Sequence, residues 1–163
     1  MYGNTKAYCT RVGSGPFPTE LEDEVGEELR KAGREFGAVT GRPRRCGWID
    51  LPALRYAIML NGVTELHLMK ADVLDGVTEI QACTHYRTAT GERTTRLPDP
   101  GELQSVVPEY QAIPGWNTDL TQVTDAAQLP KQLSDYLAFL ERELQVPIRI
   151  VSVGPDRVST LFR

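Results

Sequence analysis

The stretch that organises this chain reads Gly37-Ala38-Val39-Thr40-Gly41-Arg42-Pro43-Arg44-Arg45-Cys46-Gly47-Trp48. It gathers fixed positive charge, glycine hinges and a hydroxyl in one loop, a mixture that suits anion binding. The arginines present planar guanidinium groups that match carboxylate or phosphate oxygens two at a time, and they stay charged at any working pH. Glycine permits close approach of the backbone, while Pro43 restricts the turn between Arg42 and Arg44. We therefore expect an anion site here rather than a merely solvated basic loop.

The same residues allow a second interpretation, because Gly41-Arg42-Pro43-Arg44 resembles the core of an AT-hook, which lays arginine into a narrow minor groove of DNA. The charge of the whole chain argues against it. The formal net charge is -4 and the sequence isoelectric point is about 5.3. A chain without a basic field has little attraction for a phosphate backbone, so we predict no nucleic-acid partner.

Length and composition predict one soluble domain. The chain has 163 residues, of which 40% are hydrophobic and 25% charged, which is enough to build a core. No apolar run approaches the ~20 residues that span a bilayer, and the first residues form no signal peptide, so we expect a cytoplasmic protein without a membrane partner. Cys9, Cys46 and Cys83 are widely spaced, which favours reduced thiols. His67 and His85 lack acidic neighbours at metal-ligand spacing, so we expect no metal site there.

Hydrophobic periodicity predicts alternating helices and strands. The predicted helices are Glu20–Phe36 after an N-cap at Thr19, Leu51–Asn61 after a cap at Asp50, a short helix through Pro100–Val107, and Leu129–Leu144. The predicted strands are Lys6–Val12, Thr64–Met69, Glu79–Arg87 with its antiparallel partner Arg93–Leu97, Tyr110–Ile113 and Val146–Val153. The acidic run of residues 20–24 fits the dipole of a helix start better than a metal cluster. With no repeat or linker, we expect a single α/β unit over residues 1–163 with mixed strand directions.

Two short motifs follow predicted strands and have the chemistry to recognise guanine. In Lys70-Ala71-Asp72, the carboxylate can accept hydrogen bonds from guanine N1–H and from the exocyclic amine, while the lysine stem covers the base. Adenine lacks that pair of donors and would leave the carboxylate unsatisfied. Ser152-Val153-Gly154 could bring backbone N–H groups to the base carbonyl. Either motif alone also fits an ordinary exposed loop.

Taken together, four stretches resemble a known family in order and spacing. They are Lys6–Leu21, Thr40–Trp48, Lys70–Asp75 and Val151–Arg157. The family they resemble is adenylosuccinate synthetase, and the resemblance covers the C-terminal part of that family. It implies an α/β fold related to P-loop GTPases, a mixed sheet with flanking helices, and the GTP-dependent ligation of IMP and L-aspartate in purine synthesis. It also implies a homodimer and a Mg²⁺ ion.

The resemblance places the family's phosphate loop and acid/base residues outside this sequence. Gly13-Ser14-Gly15-Pro16 is not such a loop, because proline interrupts the run of cradling N–H groups. We therefore expect no catalytic residue and no Mg²⁺ ligand in this segment, and no activity from it alone. The alternative from another functional class is a stand-alone, non-catalytic nucleotide-binding module.

The binding residues carry over by resemblance. The aspartate loop is Ala38, Val39, Thr40, Gly41, Arg42, Pro43 and Arg44. The IMP contacts are Val12 and Arg42, and the GTP contacts are Arg44, Lys70, Ala71, Asp72, Ser152, Val153 and Gly154. One position departs from the family, which usually has two consecutive threonines where this chain has Val39-Thr40. The resemblance therefore implies that a hydroxyl donor to the aspartate carboxylate is missing at Val39.

Overall fold

A computed structural model describes residues 1–163. Residue contacts divide the chain into two compact units. Unit 1 contains Met1–Ala7, Ala57–Ile80 and Ala112–Arg163, and unit 2 contains Tyr8–Tyr56 and Gln81–Gln111. The chain therefore passes between the units four times, at residues 7/8, 56/57, 80/81 and 111/112. The expected single α/β unit over the whole sequence stays a prediction.

The chain forms ten strands and three α-helices. The strands are β1 Tyr2–Lys6, β2 Cys9–Arg11, β3 Arg45–Gly47, β4 Ile49–Asp50, β5 Glu65–Met69, β6 Glu79–Arg87, β7 Arg93–Thr94, β8 Val107–Pro114, β9 Ile148–Ser152 and β10 Thr160–Phe162. The helices are α1 Glu24–Ala32, α2 Leu51–Asn61 and α3 Lys131–Leu144. None of them combines the length and the apolar composition that crossing a membrane would take.

Unit 1 contains a mixed four-stranded sheet in the order β1-β5-β9-β10. The pairs β1–β5 and β5–β9 are parallel, whereas β10 runs antiparallel to β9. Alternation along β5 buries Leu66 and Leu68, as expected for a strand with one face in the core. Helix α3 contributes an apolar stripe that includes the fully buried Leu133 and Tyr136. The predicted mixture of strand directions is confirmed.

Unit 2 is built from short strands around a second buried cluster. Strands β2 and β3 form an antiparallel ladder, β4 pairs in parallel with β6, and β7 runs antiparallel to the end of β6. Asp50 ends β4 and accepts the N–H of Ala53 at 3.1 Å, so it caps α2 as the sequence predicts. Its other oxygen accepts the hydroxyl of the buried Tyr86. The predicted bounds of α2 and β6 are confirmed.

Four predicted elements differ clearly from the structure, and one of them, the strand predicted over Arg93–Leu97, ends at Thr94. The predicted strand Lys6–Val12 is two strands, β1 and β2, with a bend at residues 7–8. The segment Pro100–Val107 is a series of turns that leads into β8, and the short helix predicted there is wrong. Both bounds of the first helix are also wrong: α1 begins at Glu24 and ends at Ala32, and the capping side chain is that of Asp23, which accepts the N–H of Gly26 at 3.1 Å.

Strand-like pairing explains why Thr19 is not a helix cap. Its carbonyl accepts the N–H of Trp48 at 3.1 Å, and the following residue, Glu20, forms an antiparallel bridge with Gly47. A Cβ on Gly47 would lie 2.1 Å from the Thr19 carbonyl oxygen, so only glycine allows this approach. Periodicity could not reveal this pairing, because Glu20 and Gly47 are 27 residues apart along the chain.

Candidate functional site

The end of β5 leads into a tight turn that carries the Lys70-Ala71-Asp72 motif. Lys70 has φ +63°, in the left-handed region, and Ala71–Leu74 then form one turn of 3₁₀ helix. Ala71 is fully buried, so the turn is anchored in the core between its two charged residues. A positive φ is uncommon for a non-glycine residue, and Lys70 shares it in this chain with Arg34, Asn117 and Gln145.

Asp72 has an oxygen without a partner. Its Oδ1 atom is buried and receives no hydrogen bond. Burial raises the pKa of the Asp72 carboxyl above its ordinary value, against the opposing effects of a backbone hydrogen bond and of the nearby Lys70 charge. A desolvated, unsatisfied carboxylate oxygen is unfavourable, and native proteins contain few of them. The oxygen is therefore an unsatisfied acceptor in the turn that carries the predicted motif.

The second predicted motif lies at the same edge of the sheet. Because β5 and β9 are adjacent and parallel, Lys70–Asp72 and Ser152–Gly154 both emerge at their carboxyl ends, which is where open α/β sheets bind ligands. The structure thus brings the two predicted motifs to neighbouring strand ends. One detail differs from the prediction: the N–H of Val153 donates to the carbonyl of Ser159 at 2.9 Å, so it is not available to a base.

Internal contacts shape the Ser152–Gly154 turn. The Ser152 hydroxyl donates to the carbonyl of Gly154 at 2.9 Å, which closes the turn on itself. A Cβ on Gly154 would lie 2.9 Å from the Ser159 hydroxyl oxygen, so glycine is needed for close packing there. The turn consequently offers a compact backbone surface, and the hydroxyl of Ser152 is already used.

In unit 2, the arginine loop is a hairpin with an exposed tip. Phe36 pairs with Pro43, the N–H of Gly37 donates to the Arg42 carbonyl at 2.8 Å, and the N–H of Gly41 donates to the Gly37 carbonyl at 2.9 Å. Gly41 has φ +63°, which explains the glycine at that position. All residues from 38 to 43 are exposed, and Val39 is 98% exposed. The guanidinium of Arg42 is therefore presented to solvent.

Arg44 belongs to the base of the hairpin and is fixed from inside. Its Nη1 atom donates to Oε2 of Glu35 at 2.8 Å, and the fully buried Glu35 also accepts the Tyr8 hydroxyl on Oε1 at 2.6 Å. The Nε atom of Arg44 is buried without a hydrogen-bond partner. About a third of the Arg44 side chain remains exposed (33%), so it can still face a ligand. Sequence reasoning missed Glu35, because it lay in the polar end of an overlong predicted helix.

Arg45 is not available as a ligand residue. It forms a two-point ion pair with Glu20, and its Nη1 atom donates to the Gly15 carbonyl at 2.8 Å. Its guanidinium also lies 5.6 Å from the ring centre of Phe17. The hydrogen bond to Glu20 raises the pKa of Arg45 further. The expectation that Arg45 offers a free fork to an anion is therefore wrong, and its role is to hold the 13–20 segment.

The predicted IMP contact at Val12 lies close to Arg44 along the β2–β3 ladder. Arg11 pairs with Arg45 at the end of that ladder, so Val12 follows one strand where Arg44 precedes the other. Val12 is 78% exposed. No group of three or more His, Cys, Asp or Glu side chains is placed to hold a metal ion.

The family model described as adenylosuccinate synthetase matches residues 1–161. The chain belongs to this family. It is 58% identical over 163 residues to the adenylosuccinate synthetase of Porphyromonas gingivalis and 55% identical over 163 residues to that of Cytophaga hutchinsonii. Both alignments cover 100% of this chain and 38% of the relative. The chain thus spans a little over a third of the length of these relatives.

A solved structure agrees with the fold. The chain superposes on the fully ligated adenylosuccinate synthetase of Plasmodium falciparum with a TM-score of 0.93 and 38% identity. The match covers 97% of this chain and 38% of that protein. The expected family and the mixed α/β architecture are therefore confirmed, while the roles of individual residues stay predictions.

Proposed function

We propose that this chain carries the guanine-base site and the aspartate loop of a GTP-dependent ligase that joins IMP and L-aspartate to form adenylosuccinate. The observation that carries the proposal is the buried Oδ1 atom of Asp72, which lacks a partner at the carboxyl edge of the unit 1 sheet. Guanine offers N1–H and an exocyclic amine to such a carboxylate, and each bond would be charge-assisted. Adenine offers no such pair, so the site selects GTP over ATP.

The surroundings of Asp72 support a planar base. Lys70, Ala71 and Asp72 form the turn on one strand end, and Ser152–Gly154 form the compact turn on the next. The Lys70 stem is half-buried and can cover an apolar base face. The backbone of Ser152–Gly154 limits the site on this side by its shape. The turn does not donate the Ser152 hydroxyl or the Val153 N–H to the base, since both groups already have partners.

The hairpin of unit 2 supplies the proposed carboxylate site. Arg42 is the exposed guanidinium at the tip, and Arg44 is the second one, held at the base by Glu35. Thr40 adds a hydroxyl, which in this structure lies 3.4 Å from the N–H of Arg42. Arg42 and Val12 are the proposed IMP contacts, and Arg44 is shared between the amino acid and the nucleotide.

Other features of the family remain proposals for this chain. They are the Mg²⁺ ion, the homodimer and the cytoplasmic location. Every described residue in our assignment binds or orients a substrate, and none acts as acid, base or metal ligand. Residues of this chain would thus determine which nucleotide and which amino acid are used.

The test is adenylosuccinate formation by the complete gene product with IMP, L-aspartate and either GTP or ATP. We expect turnover with GTP only. In Asp72→Asn the KM for GTP should rise roughly 10- to 100-fold, equivalent to ~1.5–3 kcal/mol, because an amide donor replaces a charged acceptor. Asp135→Asn is the matched control, since Asp135 is exposed in the same unit, on helix α3, and pairs there with the exposed Lys131. Equal use of ATP and GTP, or an unchanged GTP KM in Asp72→Asn, would refute the assignment.

A further inference from the structure

We propose that Asp75 is the positioning residue of the guanine site, which holds the turn carrying Asp72 against the segment that begins at Trp116. This inference rests on the proposed function of Asp72. It adds a residue that does not touch the base and yet sets where the base-selecting carboxylate lies.

Both oxygens of Asp75 are used, and both connect to a distant part of unit 1. Oδ1 accepts the indole Nε1–H of Trp116 at 2.9 Å, and Oδ2 accepts the backbone N–H of Leu120 at 2.9 Å. The N–H of Asp75 donates to the carbonyl of Asp72 at 3.1 Å. Asp75 therefore ends the 3₁₀ turn with its backbone and fastens the turn with its side chain.

The other end of the turn is fastened as well. The carbonyl of Met69, just before Lys70, accepts the N–H of Ala7 at 2.9 Å, and the Ala7 carbonyl accepts the Tyr136 hydroxyl at 3.1 Å. The ring of Tyr136 lies 5.8 Å from that of Trp116, the residue bonded to Asp75. The contacts thus form a frame that runs from Met69 through Ala7, Tyr136 and Trp116 to Asp75. The guanine motif spans the open side of this frame.

A frame is needed because the turn is unfavourable on its own. Lys70 is held in the left-handed region, and Asp72 keeps a buried oxygen without a partner. The carboxylates of Asp72 and Asp75 also repel each other, and burial together with this repulsion raises the pKa of Asp75, while the Leu120 and Trp116 donors lower it. Without the frame, the turn could relax and let Asp72 reach water. The frame therefore supplies the pre-organisation that base selection requires.

The test compares Asp75→Asn with Asp72→Asn and with the control Asp135→Asn in the complete gene product. In Asp75→Asn the side-chain NH₂ group faces either the Trp116 or the Leu120 N–H donor. One of the two hydrogen bonds is therefore lost, and the frame opens there. We expect the KM for GTP to rise about tenfold, while kcat and the KM for aspartate stay within about twofold. The preference for GTP over ITP should fall in parallel, because a displaced Asp72 no longer reads the exocyclic amine. Calorimetric binding of GDP and IDP gives the same comparison without turnover.

A second variant protects the test against simple unfolding. Trp116→Phe retains a ring beside Tyr136 and removes only the indole donor, so we expect a rise of about threefold in the GTP KM with an unchanged aspartate KM. The NMR resonance of the Trp116 indole N–H in the wild type should also shift when GDP binds. Substitution of Trp48, the only other tryptophan, shows which of the two indole resonances belongs to Trp116.

The outcomes separate this inference from the proposed function. If Asp72→Asn impairs GTP use and both Asp75→Asn and Trp116→Phe leave it unchanged, Asp75 does not position the site and the proposed function stands. If the Asp75→Asn and Trp116→Phe variants change the KM of every substrate and kcat alike, the residues are merely structural and the inference is overturned. If Asp72→Asn itself has no effect, the guanine site fails together with it.

Discussion

The proposed guanine-binding turn of unit 1, residues 70–75, and the arginine hairpin of unit 2, residues 36–44, present their candidate ligand groups in opposite ways. In the turn, the ligand atom is a buried carboxylate oxygen without a partner, and the backbone on both sides is fastened to the core. In the hairpin, the tip residues 38–43 are exposed, and only the base is fixed, through the buried Glu35. Selecting a base requires a rigid, desolvated group, whereas capturing a charged amino acid needs long side chains that can follow the ligand.

Arg44 combines the two arrangements, because it lies in the hairpin and is paired with the buried Glu35. Arg44→Leu removes the ion-pair partner of the fully buried Glu35, so we expect the free energy of unfolding to fall by about 3 kcal/mol. Denaturant unfolding measures this, with Arg42→Leu as the matched control, which should change stability by less than ~0.5 kcal/mol. Equal stability of the two variants would show that the Glu35 anchor is energetically unimportant.

The buried turn should also respond to pH in a way that the hairpin does not. Burial raises the pKa of the Asp72 carboxyl in the free protein, and guanine donors favour its charged form. Binding of GDP should therefore release protons, and affinity should weaken by roughly tenfold per pH unit below that raised pKa. Calorimetry in two buffers of different ionisation enthalpy measures the release, which Asp72→Asn should abolish. A release that persists in Asp72→Asn would assign the proton to another group.

The stability of the unliganded protein should change with pH in the opposite sense. Because the folded pKa of Asp72 lies above its unfolded value, the contribution to stability is fully present below the unfolded pKa and is lost as pH rises through the folded one. Unfolding curves of wild type and Asp72→Asn should therefore diverge as pH rises, with the variant losing less. Parallel curves would contradict the desolvation of Asp72.

At the exposed tip, Arg42→Leu tests ligand binding without the complication of a core contact. We expect the KM for aspartate to rise roughly tenfold, or ~1.5 kcal/mol, because a charge-assisted contact is lost. The KM for GTP should not change. The AT-hook interpretation makes a different prediction, namely tight, salt-sensitive binding of A·T-rich duplex that disappears in Arg42→Leu. A mobility-shift titration at low salt distinguishes the two.

The smallest expected effect concerns the departure at Val39. This side chain is 98% exposed, so Val39→Thr removes no packing and adds the hydroxyl that the family usually has. We expect the KM for aspartate to fall by about threefold at unchanged stability. Val39→Ala is the control, since it shortens the side chain without adding a donor. An identical aspartate KM in wild type and both variants would show that position 39 does not contact the amino acid.

The sequence predictions succeed where neighbouring residues determine the structure, and they fail where distant residues do. The Asp50 cap, α2 and β6 depend on neighbouring residues and were predicted with the right bounds. The Lys70–Asp72 motif lies directly after a strand, as its position in the sequence predicts. Thr19 was misassigned, because its pairing with Trp48 is not encoded nearby.

Charge alone also could not separate the arginines. Arg42, Arg44 and Arg45 look equivalent in sequence, yet Arg45 is bound to Glu20 and Arg44 to Glu35. Glu20 lies 25 residues before Arg45, and Glu35 lies on the opposite arm of the hairpin from Arg44. The frame around Asp75 was invisible for the same reason, since its partners lie 41 and 45 residues further along the chain. Local patterns identify ligand-binding groups, while long-range contacts decide which of them remain available.

The most direct test of the guanine site is a crystal structure of the complete gene product with bound GDP. The account predicts that Oδ1 of Asp72, which has no partner in the free protein, lies ~3 Å from N1 or the exocyclic amine of the base. It also predicts that both Asp75 hydrogen bonds are retained. A base bound elsewhere, with Asp72 Oδ1 still unpaired, would contradict the account.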